Sequence, residues 1–179
     1  MKRYDAAELI MDGTRELMRK KTIEDVSVID ICRACDVSRQ TFYKYFTDKH
    51  DVISRIYNRT ITEVLDNADY SKPIDESIGK MMEVMIKDKR FYENALKYRG
   101  QNSLEEQMYE HVYDGYIHIV GRYPEALRDE NLLFEVQFTA HAGTGCMIDW
   151  IKGGMKEDPY EVARKIASCI PARMKSFLN

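Results

Sequence analysis

Apolar residues recur three and four positions apart along almost the whole chain, and no apolar/polar alternation runs long enough to make a strand. Each stretch therefore carries one apolar stripe at helical pitch, and the chain is expected to be all-α. Ala6, Ile10, Gly13 and Leu17 mark the first face, closed by Arg19, Lys20 and Lys21 at the end where cations suit the helix dipole. Ser27, with Asp30 three residues on, has the form of a capping box and opens a short helix with Val28, Ile31, Cys32 and Cys35 on one side. Asp36, Val37 and Ser38 make a tight turn. Ser38 then caps a third helix over 39–46, anchored by Phe42 and Phe46 at i and i+4, with Arg39, Gln40, Tyr43 and Lys44 off that line.

Asp48 caps a longer helix with Val52, Ile53, Ile56, Tyr57, Ile61, Val64 and Leu65 inward, ending in a break at Tyr70, Ser71, Lys72 and Pro73. Further helices are expected over 74–87, over 88–99 before Gly100, over 103–121 with Ser103 and Glu106 as a capping box, and over 131–152 before Gly153 and Gly154. A last helix opens at Asp158, Pro159 and Glu161. Its stripe of Ala163, Ile166, Ala167, Ile170, Met174, Phe177 and Leu178 stays in phase through Pro171, which predicts a kink there and not a stop. The organisation that follows is a helix-turn-helix head in residues 1–48 and a helical bundle in residues 49–179.

With 179 residues, 44% of them hydrophobic, the chain can bury a core of its own. The net charge of -3 argues against a surface basic all round. Lys plus Arg stand 10 against 9 acids in residues 1–50 and 17 against 21 in the remainder, so a mildly basic head sits on an acidic body. No apolar run approaches the roughly 18 residues of a membrane span, and residues 1–12 carry acids where a signal peptide needs an unbroken apolar segment. A cytoplasmic protein is expected, with Cys32, Cys35, Cys146 and Cys169 as reduced thiols.

Two short helices joined by a three-residue turn, the second exposing polar groups at its start, have the geometry that fits a helix into the DNA major groove. Arg39 can donate bidentately to guanine, and Gln40 can donate to and accept from adenine. Lys44 and Lys49 can neutralise phosphates, and the hydroxyls of Tyr43 and Tyr45 can hydrogen-bond phosphate oxygens and fix register.

The run from Asp30 to Lys49, with its small-residue helix, Asp36-Val37-Ser38 turn, Thr41-Phe42-Tyr43, basic Lys44, aromatic Tyr45, Phe46 and Lys49, resembles the TetR family of transcriptional regulators. The motif covers about residues 5–57; in the body the stretches 92–102 and 150–154 are similar to one C-terminal subgroup of that family. The resemblance implies a dimer on a palindromic, inverted-repeat operator, with Ser27, Arg39, Gln40, Thr41, Tyr43, Lys44, Tyr45 and Lys49 as the DNA face, and a body that responds to a small-molecule effector or a partner protein. Two positions depart from the family pattern: Asp36 stands where Gly usually supplies a left-handed turn residue, and Ile29 where a polar contact is common. They are the support for a second reading, a coregulator or ligand-sensing module of the same fold that has lost operator binding.

Cys32 and Cys35 could form a redox pair or half a zinc site, or simply pack as small hydrophobes; no second ligand pair at zinc spacing accompanies them, and neither metal nor cofactor is expected. Tyr92, His111, Tyr113, Tyr116, Phe138 and His141 are the candidate effector-binding residues, against a reading of the same rings as core. Ala140, Ala142, Gly143 and Gly145 keep one face of a long helix small. Either a second copy approaches there, with Gly143, Cys146, Trp150, Ile166, Ile170 and Phe177 in the interface, or a helix of the same chain does. The sequence offers no nucleophile and base at persuasive spacing, no phosphate-binding glycine loop and no metal quartet, so no enzyme is expected.

Overall fold

The computed structural model describes residues 5–66 and 72–178; the side chain of Leu65 and the expected break at Tyr70 and Ser71 fall outside them. The described residues form ten α-helices and no strand: α1 (Ala6–Met18), α2 (Val28–Ala34), α3 (Arg39–Tyr45), α4 (Lys49–Asp66), α5 (Ile74–Ile86), α6 (Lys89–Ala95), α7 (Leu104–Val120), α8 (Glu130–Lys152), α9 (Pro159–Ser168) and α10 (Ala172–Leu178). A short 3₁₀ turn, Ala126–Arg128, precedes α8. Helices α1 to α3 pack around Ile10, Met18, Ile31, Phe42 and Phe46, and that core continues without a break through Ile53, Ile56 and Tyr57 of α4 into Phe91, Tyr92, Ile148 and Ile151 of the body. A second cluster, built on Tyr116, Val120, Leu132, Val136, Ile170 and Met174, fills the far end.

Helix ends fall where the side chains supply partners for free backbone groups. Ser27 and Ser103 both close full capping boxes, with Asp30 and Glu106 respectively. Asp48 accepts from the amides of His50 (2.8 Å) and Asp51 (2.9 Å) at the start of α4. At the end of α8, Gly154 takes φ 86° and the Met155 amide reaches back to the Trp150 carbonyl at 2.8 Å, while the Trp150 indole donates to Glu157 O at 3.0 Å and pins the turn into α9.

Two elements differ from expectation. α6 ends at Ala95 and not at Arg99, because the chain turns away after Leu96 and carries the Tyr98 ring onto His50, centroids 4.3 Å apart. The last helix is two helices. Cys169 and Ile170 donate to Ile166 O and Ala167 O, which tightens and ends α9, and Pro171 has no N–H with which to continue it. Its carbonyl instead accepts from Lys175 N at 3.0 Å to begin α10. The apolar stripe stays in phase across this stop, which is why periodicity alone reads through it.

The head is joined to the body along α1, α4 and α6. Asp88 at the start of α6 takes Arg15 (2.9 Å) and Arg19 (3.0 Å) of α1, and Asn94 donates to Met18 O at 2.7 Å. In the body α9 lies along α5, where Gly79 is buried under the ring of Tyr160; a β-carbon at that position would overlap the ring.

Candidate nucleic-acid interface

Helix α3 is seated by its two phenylalanines. Phe42 and Phe46 are fully buried with ring centroids 5.8 Å apart, and the Arg55 guanidinium of α4, held by Asp51 at 3.0 Å, lies 4.8 Å over the Phe46 ring. With that side committed, the opposite side is free. Arg39, Gln40 and Lys44 are exposed; Tyr43 is 51% exposed and braced edge-on by Phe42 at 5.3 Å. Thr41 is half-buried with its hydroxyl 2.9 Å from that of Ser38, and Tyr45 is half-buried under the Lys44 ammonium, 5.4 Å from the ring centroid. Arg33, Arg39 and Lys44 make no ion pair among the described residues, whereas Arg15, Arg19, Arg55 and Arg59 behind them all do.

Ser27 stands exposed at the N-terminus of α2, but its hydroxyl is engaged twice, donating to Asp30 at 2.6 Å and accepting from the Asp30 amide at 3.1 Å. The Ser27 hydroxyl and the Ser27 amide, both donating to the Asp30 carboxyl, hold it below its ordinary range. Lys49, expected to face phosphate, turns its ammonium inward onto the carbonyls of Ile23 (2.6 Å) and Val26 (2.8 Å), so it ties α4 to the loop before α2 and keeps one N–H of its three. Sequence reasoning did not single out this strut: charge can be read from sequence, but the direction of a long side chain cannot. Ile29 is 50% exposed beside Ser27.

The turn between α2 and α3 shows how the chain manages without glycine. Asp36 adopts φ 52°, and the Val37 amide donates to Cys32 O at 3.0 Å, the six-to-one bond of a helix closed by a left-handed residue. Cys32 is buried and Cys35 half-buried against Gly13 of α1, with burial pushing both thiols up in pKa. Both therefore pack as protonated thiols, weak nucleophiles in this environment. Among the described residues no group of three His, Cys, Asp or Glu is placed to hold a metal ion.

The six candidate effector residues do not share one site. His111 and Tyr116 line a cavity of about 590 Å³ between α5, α7, α8 and α9, together with Met81, Asp114, Met147 and Tyr160. Burial pushes the imidazole of His111 below its ordinary 6.5, and its ring meets Tyr57 edge-on at 5.9 Å. Tyr92 is core, with burial raising its pKa to about 12. Tyr113 stacks on Tyr109 at 5.9 Å and packs on the far cluster, and His141 lies exposed on the same tyrosine at 3.8 Å. Phe138 lies 61% exposed on a separate groove of about 650 Å³ between α8 and α9. Four of the six candidate interface residues, Gly143, Cys146, Trp150 and Ile166, line that groove, while Ile170 is buried in the far cluster and Phe177 packs against it, 5.2 Å from Tyr123.

Residues 10–56 match the model of the bacterial regulatory proteins of the tetR family, and residues 72–171 match the family's transcriptional regulator C-terminal region. The chain is similar to the HTH-type dhaKLM operon transcriptional activator DhaS of Lactococcus lactis, 25% identical over 114 residues, which is 58% of this chain and 60% of that one. It is also similar to the uncharacterized HTH-type transcriptional regulator YvdT of Bacillus subtilis, 27% identical over 79 residues, 44% of this chain and 41% of that one. Both matches span less than two thirds of the curated relative's length. A solved structure of a dihydroxyacetone kinase operon activator DhaS superposes with TM-score 0.63 at 16% identity, covering 96% of this chain and 97% of that one. The structure of a putative TetR-family transcriptional regulator from Syntrophomonas wolfei superposes with the same TM-score and identity, covering 97% and 94%. No described helix is long and apolar enough to cross a membrane.

Within the matched head Asp36 is the strained position. Asp36→Ala, which keeps the Cβ but loses the short polar side chain that tolerates the left-handed region, is expected to lower stability by about 1 kcal/mol in urea unfolding, and Asp36→Gly is expected not to lower it. A stability for Asp36→Gly below that of Asp36→Ala would show that the turn carries no such strain.

Proposed function

The chain belongs to the TetR family of bacterial regulatory proteins and is a transcriptional regulator of that type, and we propose that it acts as a homodimer on an inverted-repeat operator under the control of a small molecule bound in its body. The observation that carries the DNA reading is the free face of α3: Arg39, Gln40, Tyr43 and Lys44 project from a helix whose other side is locked by Phe42 and Phe46. Arg39 and Gln40 read base edges; Tyr43, Lys44 and Tyr45 grip phosphates; Ser27 and Thr41 hold the two helix starts against the backbone; and Lys49 fixes the angle of the head while offering its remaining N–H. The head of residues 1–48 is the DNA-binding unit and residues 49–179 are the sensing and pairing unit.

Dimerisation through α8 and α9 is supported by what the chain leaves uncovered. Phe134 is 66% exposed and Phe138 61%, in line with exposed Ala142 and Cys146. A β-carbon at Gly145 would meet nothing in its own chain within 4 Å, and one at Gly143 would make only an ordinary 3.5 Å contact with Ile166. Packing within the chain therefore does not require these residues to be small, whereas the close approach of a second copy does.

The cavity at His111 and Tyr116 is the effector site of this reading. Its volume lies in the range typical of small-ligand pockets, and its wall sets polar and charged side chains, Glu76, Lys80, His111 and Asp114 among them, beside Ile, Val and Met. Val64 of α4 forms part of its wall, and the first turn of α4 holds the recognition unit through Lys49. A ligand that fits one orientation of α4 better than another would shift the spacing of the two α3 helices.

Fluorescence anisotropy with DNA from upstream of the gene, over a salt series, tests the DNA reading. Tight, salt-sensitive binding of two chains per inverted repeat is expected, weakened at least tenfold by Arg39→Ala and less by Tyr43→Phe. No preference over random duplex would favour the module without an operator. For the cavity, Gly115→Phe places a ring where a β-carbon now meets nothing, and uptake of anilinonaphthalene sulfonate is expected to fall with the melting temperature unchanged. Undiminished uptake would place the dye, and the site, elsewhere.

A further inference from the structure

The cations without a carboxylate partner are not confined to the helix-turn-helix. In the body Lys72, Lys80, Lys89, Arg90, Lys152, Arg164, Lys165 and Arg173 each sit in an ion pair. Lys87, Arg122, Arg128, Lys156 and Lys175 make none among the described residues, and neither do Lys97 and Arg99, both exposed in the connection between α6 and α7. Nor do Lys20 and Lys21, exposed just beyond α1. Lys97, Arg99, Lys20 and Lys21 lie on segments that a chain of contacts joins where the head meets the body. Lys97 donates to the Asn94 side-chain oxygen at 3.0 Å, and the Asn94 amide donates to Met18 O at 2.7 Å, two residues before Lys20. Tyr98, between Lys97 and Arg99, lies on the His50 ring in the first turn of α4, next to Lys49, whose ammonium holds the carbonyls of Ile23 and Val26 just ahead of Ser27. Lys21 is near enough to Asp30 to help depress its carboxyl, which puts it beside the start of α2. Of the acids nearby, Glu16 and Asp88 are paired with Arg19, while Glu24 and Asp25 are exposed and make no ion pair among the described residues, Asp25 accepting only from the Thr22 hydroxyl at 2.7 Å.

We infer that Lys97 and Arg99, with Lys20 and Lys21, form a cationic shoulder that seats on the phosphate backbone of DNA flanking the base pairs read by α3. The inference rests on the DNA-binding reading above and extends it to the body of the protein. The Tyr98–His50 stack and the Lys97–Asn94–Met18 ladder tie the segment carrying Lys97 and Arg99 to the first turn of α4 and to the end of α1, just ahead of Lys20 and Lys21. Such an array suits a polyanion of regular charge spacing, and it carries no base-reading donor–acceptor pair such as Gln40 supplies. The shoulder adds affinity and register without sequence preference. Because Lys97 and Arg99 belong to the connection leaving α6, DNA held there also holds the body against the head.

The test compares wild type, Lys97→Ala/Arg99→Ala and a control with the same charge loss, Arg122→Ala/Arg128→Ala. The control cations lie beyond the other end of α7, whose 17 residues span about 25 Å. Binding is measured by anisotropy on the inverted repeat with and without about ten flanking base pairs at each end, over a salt series. Each phosphate contact adds about 0.9 to the slope of log K against log salt, so loss of both cations from both copies is expected to flatten the slope by about 3 to 4 on the long duplex. On the trimmed duplex wild type and the shoulder variant are expected to converge, and the control is expected to match wild type on both. If wild type binds the repeat specifically but the shoulder variant keeps its slope and its length dependence, or if the control loses as much, the shoulder is overturned while the DNA reading stands. If wild type shows no specific binding on either duplex, both fall together.

Discussion

The ammonium of Lys49, set between the carbonyls of Ile23 and Val26, fixes how the head of this protein meets its body. A half-buried cation is costly unless its donors are used, and here two of three are, so the first turn of α4 has one favoured seat against the loop before α2. Everything on the DNA side is referred to that seat. Ser27 follows Val26 directly, the capped start of α4 follows Phe46, and Phe46 with Phe42 presents the free face of α3. On the other side the same turn receives Tyr98 through His50, so the connection after α6 is keyed to it as well.

Much of this was legible in the sequence because the signals are local. The capping boxes at Ser27 and Ser103, the turn at Asp36 and the spacing of Phe42 and Phe46 each act within a few residues, and backbone chemistry settles them before any tertiary contact forms. The left-handed Asp36 is a departure from the family pattern that the backbone absorbs: the turn closes with its six-to-one bond regardless. What escaped the sequence depends on distant partners. Tyr92 and Tyr116 are both aromatic residues at helical spacing, yet one is sealed in the core and the other faces a cavity. The stop at Pro171 escaped because an apolar stripe records which side is buried and not whether the amide ladder continues.

Among the described residues, the body leaves space in two places. The cavity beside His111 opens where Gly115 has no neighbour and α5 meets α7, and the groove along α8 opens where Gly143 and Gly145 keep the surface low beside exposed Phe138. Helix α4 runs from the DNA side at Lys49 to the cavity wall at Val64, so one rigid element touches both. In the proposed mechanism, its tilt is what occupancy of the cavity would change, and with it the distance between the two heads of a dimer.

The central claim, that two copies of α3 enter successive major grooves of one operator, is tested most directly by hydroxyl-radical footprinting of the upstream DNA. The account predicts two protected tracts related by a dyad, centred about one helical turn apart or a multiple of it. A single protected tract with one chain bound, or uniform protection without phase, would contradict it.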